Sequence, residues 1–169
     1  RNFVNKLWNA SRFALMNLED FDPDASSLAD FELSLADQWI LDRFGLASVE
    51  VNNCLENYKF NDAASTLYSF TWHEFCDWYV ELAKDDLYGD DSHAKLRAQT
   101  VLYSVLESLL RLLHPFIPFV TEEIWQALPG TRPAVTIMQA EYPTSIDAKV
   151  DASVVVSMEL VMEVVRAIR

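Results

Sequence analysis

With 169 residues and 51% hydrophobic side chains the chain can bury a core as one domain, while only 3 glycines and 6 prolines leave little room for a turn-rich β architecture. No uncharged apolar run reaches the roughly 18 residues a membrane-spanning helix needs, and isolated glycines offer no backbone loop to cradle phosphate. The net charge of −13 argues against a broad nucleic-acid surface, yet it is unevenly spread: residues 1–13 carry Arg1, Lys6 and Arg12 without an acid, whereas residues 14–91 hold 18 acids against 3 bases.

The first helix runs over residues 2–17. Phe3, Val4, Leu7, Trp8, Ala14 and Leu15 share one side, and Asn2, Asn5, Lys6, Asn9 and Arg12 share an opposite arc of about 120°. Asparagine is a mediocre helix former, but Asn and Arg pair in bidentate fashion with base edges and phosphates. That arc is either a nucleic-acid face or a solvated one. Residues 18–33, acidic and without clear periodicity, read as an exposed loop.

Ser34 opens the second helix with a Ser-x-x-Asp capping pattern ending at Asp37. Its apolar stripe is Ala36, Ile40, Phe44, Ala47, Val51, Cys54, Leu55 and Tyr58. Trp39 lies off that stripe with Arg43 one turn on, so it is either a base-stacking surface or a residue packed under the loop or the first helix.

A turn at residues 60–62 leads into the segment Thr66–Lys84, which is expected to be the central post of the bundle. On a 100° wheel it is apolar over roughly 220°, with Trp72, Phe75, Cys76, Trp78, Tyr79, Val80, Leu82 and Ala83 on the broad arc. These are expected to be core rather than an RNA-stacking platform. Cys54 and Cys76, without any CxxC pair, read as reduced core residues of an intracellular protein. His73 and Asp77 stand at i, i+4 spacing but lack a second histidine for a metal site.

Ser92 is expected to cap a fourth helix with Leu102, Val105, Leu106, Leu109, Leu112 and Leu113 as its core. His114-Pro115 ends it, His114 meeting the final carbonyls. Pro118 starts a fifth helix that reaches about Leu128; residues 136–140 suit a short extended segment, and a last helix begins near Ala152. The expected fold is all-α, an antiparallel bundle of about five helices over residues 1–143. Residues 144–169 follow as a linker and the start of a further, truncated helix. Nothing in the chain reads as an active site.

Arg1-Asn2-Phe3, Asn5-Lys6-Leu7-Trp8-Asn9-Ala10, Arg12-Phe13, Leu35-Ala36-Asp37-x-Trp39-Ile40-Leu41, Phe70-Thr71-Trp72-x-Glu74-Phe75-Cys76-Asp77-Trp78-Tyr79-x-Glu81 and Leu113-His114-Pro115-x-Ile117-Pro118-Phe119-x-Thr121-Glu122-Glu123-Ile124-Trp125 together resemble the anticodon-binding domain of the class I valyl-tRNA synthetases. The resemblance covers residues 1 to about 143 in order. The LADxWIL and HPxIPFxTEEIW elements recur among the related synthetases for isoleucine, leucine and methionine, and the first-helix motif with FCDWY points to valine. The resemblance implies a helical bundle, monomeric and cytoplasmic, that docks the anticodon stem-loop of valine tRNA near the first helix and the start of the second. Asn5, Lys6, Asn9, Arg12, Trp39 and Arg43 are the residues that fall there. It also implies catalytic and C-terminal domains elsewhere in a longer parent, with ATP and magnesium used by that parent and no cofactor in this piece. The adenylation motifs HIGH and KMSKS are missing from this chain. The rival readings are a protein-docking module and a structural support that makes no RNA contact.

Overall fold

The computed structural model describes residues 2–146, 148 and 150–168; Arg1, counted above in the cationic start, lies outside them. The architecture is an all-α bundle. Helix α1 (Asn2–Asn17) is followed by two 3₁₀ turns, Pro23–Ala25 and Leu28–Asp30, and then by α2 (Leu35–Glu56). A long rod comes next: α3 (Phe60–Ser69), a π-helical segment (Phe70–Tyr79), α4 (Val80–Leu82) and α5 (Lys84–Tyr88). Helices α6 (Ser92–Leu113), α7 (Pro118–Ala127) and α8 (Ala152–Ile168) complete it. Residues 136–140, expected to be extended, instead contain a 3₁₀ turn at Ile137–Gln139.

The helix ends follow local chemistry. Ser34 and Asp37 form the expected reciprocal capping box at the start of α2. At its far end Lys59 N–H reaches the Cys54 carbonyl at 2.8 Å and Tyr58 N–H that of Leu55 at 3.1 Å, a Schellman closure. Tyr58 therefore sits at φ 57°, where glycine is usual. It is turned out to solvent and does not extend the core stripe. Asp91, one residue before the expected cap, accepts from His93 and Ala94 N–H to start α6.

The central post is α6. Ala98, Val101, Leu102, Val105, Leu106, Leu109, Leu110 and Leu112 are all fully enclosed, and α1, α2, α5 and α7 pack around it. The 60–88 rod is narrower in its buried face than a 100° wheel predicts. Residues five apart lie about 140° apart on an α-helix, but here the Val80 N–H bonds to the Phe75 carbonyl, so such pairs come into register. Phe70 with Phe75, Thr71 with Cys76, and Phe75 with Val80 are buried, whereas Trp72, Trp78 and Leu82 are only half-buried. Trp78 lies under the Arg166 guanidinium, 5.8 Å from its ring centre.

The 18–33 segment is strapped down, contrary to the expectation of an exposed loop. Leu18 and Phe21 are buried. Gln99 Nε2 donates to the Asn17 carbonyl at 2.7 Å and to Asp20 at 2.8 Å, and Lys95 pairs with Asp20 at 2.7 Å. Thr131 N–H donates to Asp24 at 3.0 Å, and a Cβ placed on Gly130 (φ 88°) would collide with the Pro23 ring. Helix α8 lies along α2 and adds Met158 and Met162 to the same core cluster as Trp39.

Candidate nucleic-acid interface

Helix α1 buries Leu7, Ala10, Ser11 and Ala14, a stripe at steps of three and four. The opposite flank stays open: Asn5, Asn9 and Arg12 are exposed. Trp8, expected on the inner side, is 40% exposed and borders this flank. On one side the flank meets α5. Phe13, one turn beyond Asn9, is half-buried with its ring edge-on to exposed Tyr88, centroids 6.3 Å apart. Lys84 Nζ lies over the Phe13 ring at 5.6 Å and pairs with Glu81 at 2.7 Å, a contact open to solvent, unlike that of Arg43 with Glu74. Around the other side of α1 a cleft of roughly 400 Å³ is lined by Arg12, Leu15, Met16, Leu18 and Glu19 together with Ala127 and Pro129 at the end of α7, one base against one acid. Amide, guanidinium, ammonium and aromatic groups thus share one open strip, the combination that single-stranded nucleic acid requires. Phe13, Lys84 and Tyr88 escaped the sequence reading. Only the lack of acids beside the RF pair hinted at Phe13, and nothing local indicates that the rod's far end folds back against it.

The other predicted residues do not join that strip as free groups. Lys6 is half-buried, ion-paired to Asp77 and placed 4.1 Å from the centre of the Trp72 ring. Trp72 stacks on Tyr68 at 5.6 Å, and Tyr68 on Phe3 at 5.2 Å, so these rings spend their faces on one another. Trp39 is 2% exposed. Its reading as a base-stacking surface is corrected: it belongs to the core, in the layer that α8 closes from outside. Arg43 makes no free cation beside it, because its guanidinium grips Glu74 through two hydrogen bonds of 2.7 and 3.0 Å. That hydrogen-bonded carboxylate holds Arg43 above its ordinary pKa despite partial burial. The cleft of roughly 440 Å³ next to Trp39 is walled by Glu74, Glu159 and Glu163 against Arg43 and Arg166, an unfavourable balance for phosphate. Glu74 and Asp77 of the π segment thus neutralise one predicted cation each.

Burial pushes the Cys76 thiol up to about 12, so it stays protonated. His73 Nδ1 lies 3.6 Å from Asp77, exposed to solvent, and among the described residues no three His, Cys, Asp or Glu side chains gather as a metal site. His114, expected to meet the carbonyls ending its helix, places Nδ1 2.8 Å from Thr121 Oγ1. No helix among the described residues is long and apolar enough to cross a membrane.

The family model for the anticodon-binding domain of tRNA ligase matches residues 37–169. A valine–tRNA ligase of Syntrophotalea carbinolica is 62% identical over 169 residues and one of Geobacter sulfurreducens 63%, each covering the whole chain and 19% of the relative. A valine–tRNA ligase of Bacillus cereus is 44% identical over 168 residues, 99% of the chain and 19% of the relative. The chain therefore spans about a fifth of the length of the curated relatives it matches.

Proposed function

This chain belongs to the family of anticodon-binding domains of tRNA ligases, and from that premise we propose that its α1 flank receives the anticodon loop of a valine tRNA. The observation that supports this is the convergence of Asn5, Asn9 and Arg12 with Phe13, Lys84 and Tyr88 on one open strip of an otherwise acidic body. Asparagines and Arg12 hydrogen-bond base edges or phosphate, Phe13 and Tyr88 stack on unpaired bases, and Lys84 turns to backbone phosphate from its solvent-exposed pair with Glu81. Lys6 buttresses the start of the strip through Asp77 and Trp72. Arg43 and Trp39 act behind it, as packing and an ion pair.

In this reading the chain is one domain of a longer, cytoplasmic valine–tRNA ligase. The parent's catalytic domain uses ATP and magnesium to join valine to its tRNA, while this domain holds the anticodon and performs no chemistry. Residues 144–169 lead towards a further region of that parent. Helix α8 turns Val156, Leu160, Val164 and Ile168 outward at i, i+4 steps, and neighbouring domains of the parent are the partner suited to this apolar face.

The test is a titration of the chain with a valine tRNA anticodon stem-loop and with a base-substituted version, each at several salt concentrations. Loss of affinity on base change identifies anticodon reading. With Arg12 as a phosphate contact, log K should fall against log salt with a slope of about −0.7 or steeper, and Arg12→Ala should remove about 0.7 of it. Equal affinity for the two RNAs, or an unchanged slope, refutes the assignment.

A further inference from the structure

Helix α5 supplies Lys84 and Tyr88 to the strip, yet it spans only five residues, far too few to be stable alone. Leu87 is its one buried side chain, and Gly89 ends it. The helix continues the rod through the Leu87 N–H bond to the Ala83 carbonyl at 3.0 Å and touches Phe13, and its tie to α6 and α2 beyond Leu87 is ionic. Arg97 of α6 stands between two carboxylates: its Nη2 donates to Asp86 of α5 at 2.7 Å and its Nε to Asp37 of α2 at 2.9 Å. Asp37 is anchored in turn. It is 2% exposed, accepts the Tyr79 hydroxyl at 3.0 Å and the Ser34 hydroxyl at 2.7 Å, and closes the α2 capping box. The network thus runs from the rigid start of α2 and the π segment, through one guanidinium, to the short helix beside Phe13. Arginine suits the task because its planar fork fixes two acceptors at once.

We propose that Arg97 is a positioning residue for the RNA-binding strip: by holding Asp86 against the Asp37–Tyr79 anchor it keeps Lys84 and Tyr88 placed beside Phe13. This rests on the reading of the α1 flank as the anticodon surface. Holding the strip in its bound arrangement in advance lowers the ordering cost on binding.

The consequence can be separated from simple electrostatics because the two predict opposite signs. Asp85, next along α5, is exposed; Asp86 is the one that Arg97 holds. Asp85→Asn and Asp86→Asn remove the same negative charge from the same helix near bound RNA. Charge alone predicts tighter binding for both. The Arg97 clamp predicts that Asp86→Asn weakens stem-loop affinity by about threefold to tenfold while Asp85→Asn strengthens it or leaves it unchanged. Amide hydrogen exchange over residues 84–88, measured without RNA, should quicken in Asp86→Asn and not in Asp85→Asn. Matching affinity gains in the two variants, or matching exchange, overturn the proposal. A wild-type chain that binds no stem-loop overturns the underlying reading of α1, and the RNA-free exchange measurement tells that failure apart from failure of the clamp.

Discussion

Replacing Trp39 with alanine decides whether this tryptophan faces RNA or the core. A buried tryptophan removes about 150–250 Å² from water, which at about 25 cal/mol per Å² amounts to roughly 4–6 kcal/mol. Trp39 is 2% exposed, so nearly all of that applies. Alanine retains some contacts and truncations of large core aromatics cost about 3–5 kcal/mol; the cleft between Trp39 and Met162 gives α8 room to settle, which favours the lower half, about 3–4 kcal/mol. For a domain of this size each kcal/mol lowers the melting temperature by about 2–4 °C, so a thermal melt followed by far-ultraviolet circular dichroism should drop by roughly 6–16 °C. Stem-loop affinity, measured well below the new midpoint, should change little. Trp8→Ala is the control: at 40% exposure it should cost about 1 kcal/mol or less. If Trp39→Ala melts like wild type and loses RNA affinity, the assignment of Trp39 to the core is refuted.

Four further substitutions test other parts of the fold. Tyr58→Gly should stabilise the chain by about 0.5–1 kcal/mol, because glycine relieves the left-handed strain at φ 57° while the Schellman closure persists; a lowered denaturant midpoint would contradict this. Gly130→Ala should destabilise by about 1–3 kcal/mol, since the new Cβ meets both an unfavourable φ of 88° and the Pro23 ring. Adding Pro23→Ala should recover only the collision, leaving the backbone strain, and a melt of Gly130→Ala indistinguishable from wild type would show that the 18–33 segment does not press on the end of α7. The hydrogen bonds from Lys95 and then Gln99 hold the Asp20 carboxyl below its ordinary pKa. A lowered folded pKa gives stability that is complete above the unfolded value and is lost as the pH falls through the folded one. Asp20→Asn should therefore lower stability at neutral pH and flatten the decline in melting temperature below about pH 5; an acid limb as steep as that of wild type would refute the role of this pair.

Much of the fold is legible in the residues because its signals are local. Ser34 and Asp37 lie three residues apart and satisfy one another's backbone donors, so the start of α2 is written in four letters. Pro118 at the head of α7 and the leucine periodicity of α6 act over one or two turns in the same way. The open Asn5, Asn9 and Arg12 flank followed from subtracting an apolar stripe within a single helix, and it is exposed in the fold. The wheel failed where the helix itself changed pitch. Between Phe70 and Tyr79 the bonding shifts to i+5, and Trp72 and Trp78 turn partly outward although a constant 100° places them inside.

By itself the sequence determined an all-helical chain, most of the helix boundaries, the cap of α2 and the polar flank of α1, all set by hydrogen bonds and hydrophobic periodicity between residues a few positions apart. Only the tertiary structure decided which of the candidate side chains remain available. Arg43 is taken up by Glu74, 31 residues away, and Lys6 by Asp77, 71 residues away; Trp39 joins one core cluster with Met158 and Met162 from the far end of the chain, and Tyr88 is brought to Phe13. A charge is free or neutralised, and a ring is wet or dry, according to what the fold delivers to it from distant sequence, and no local pattern carries that information.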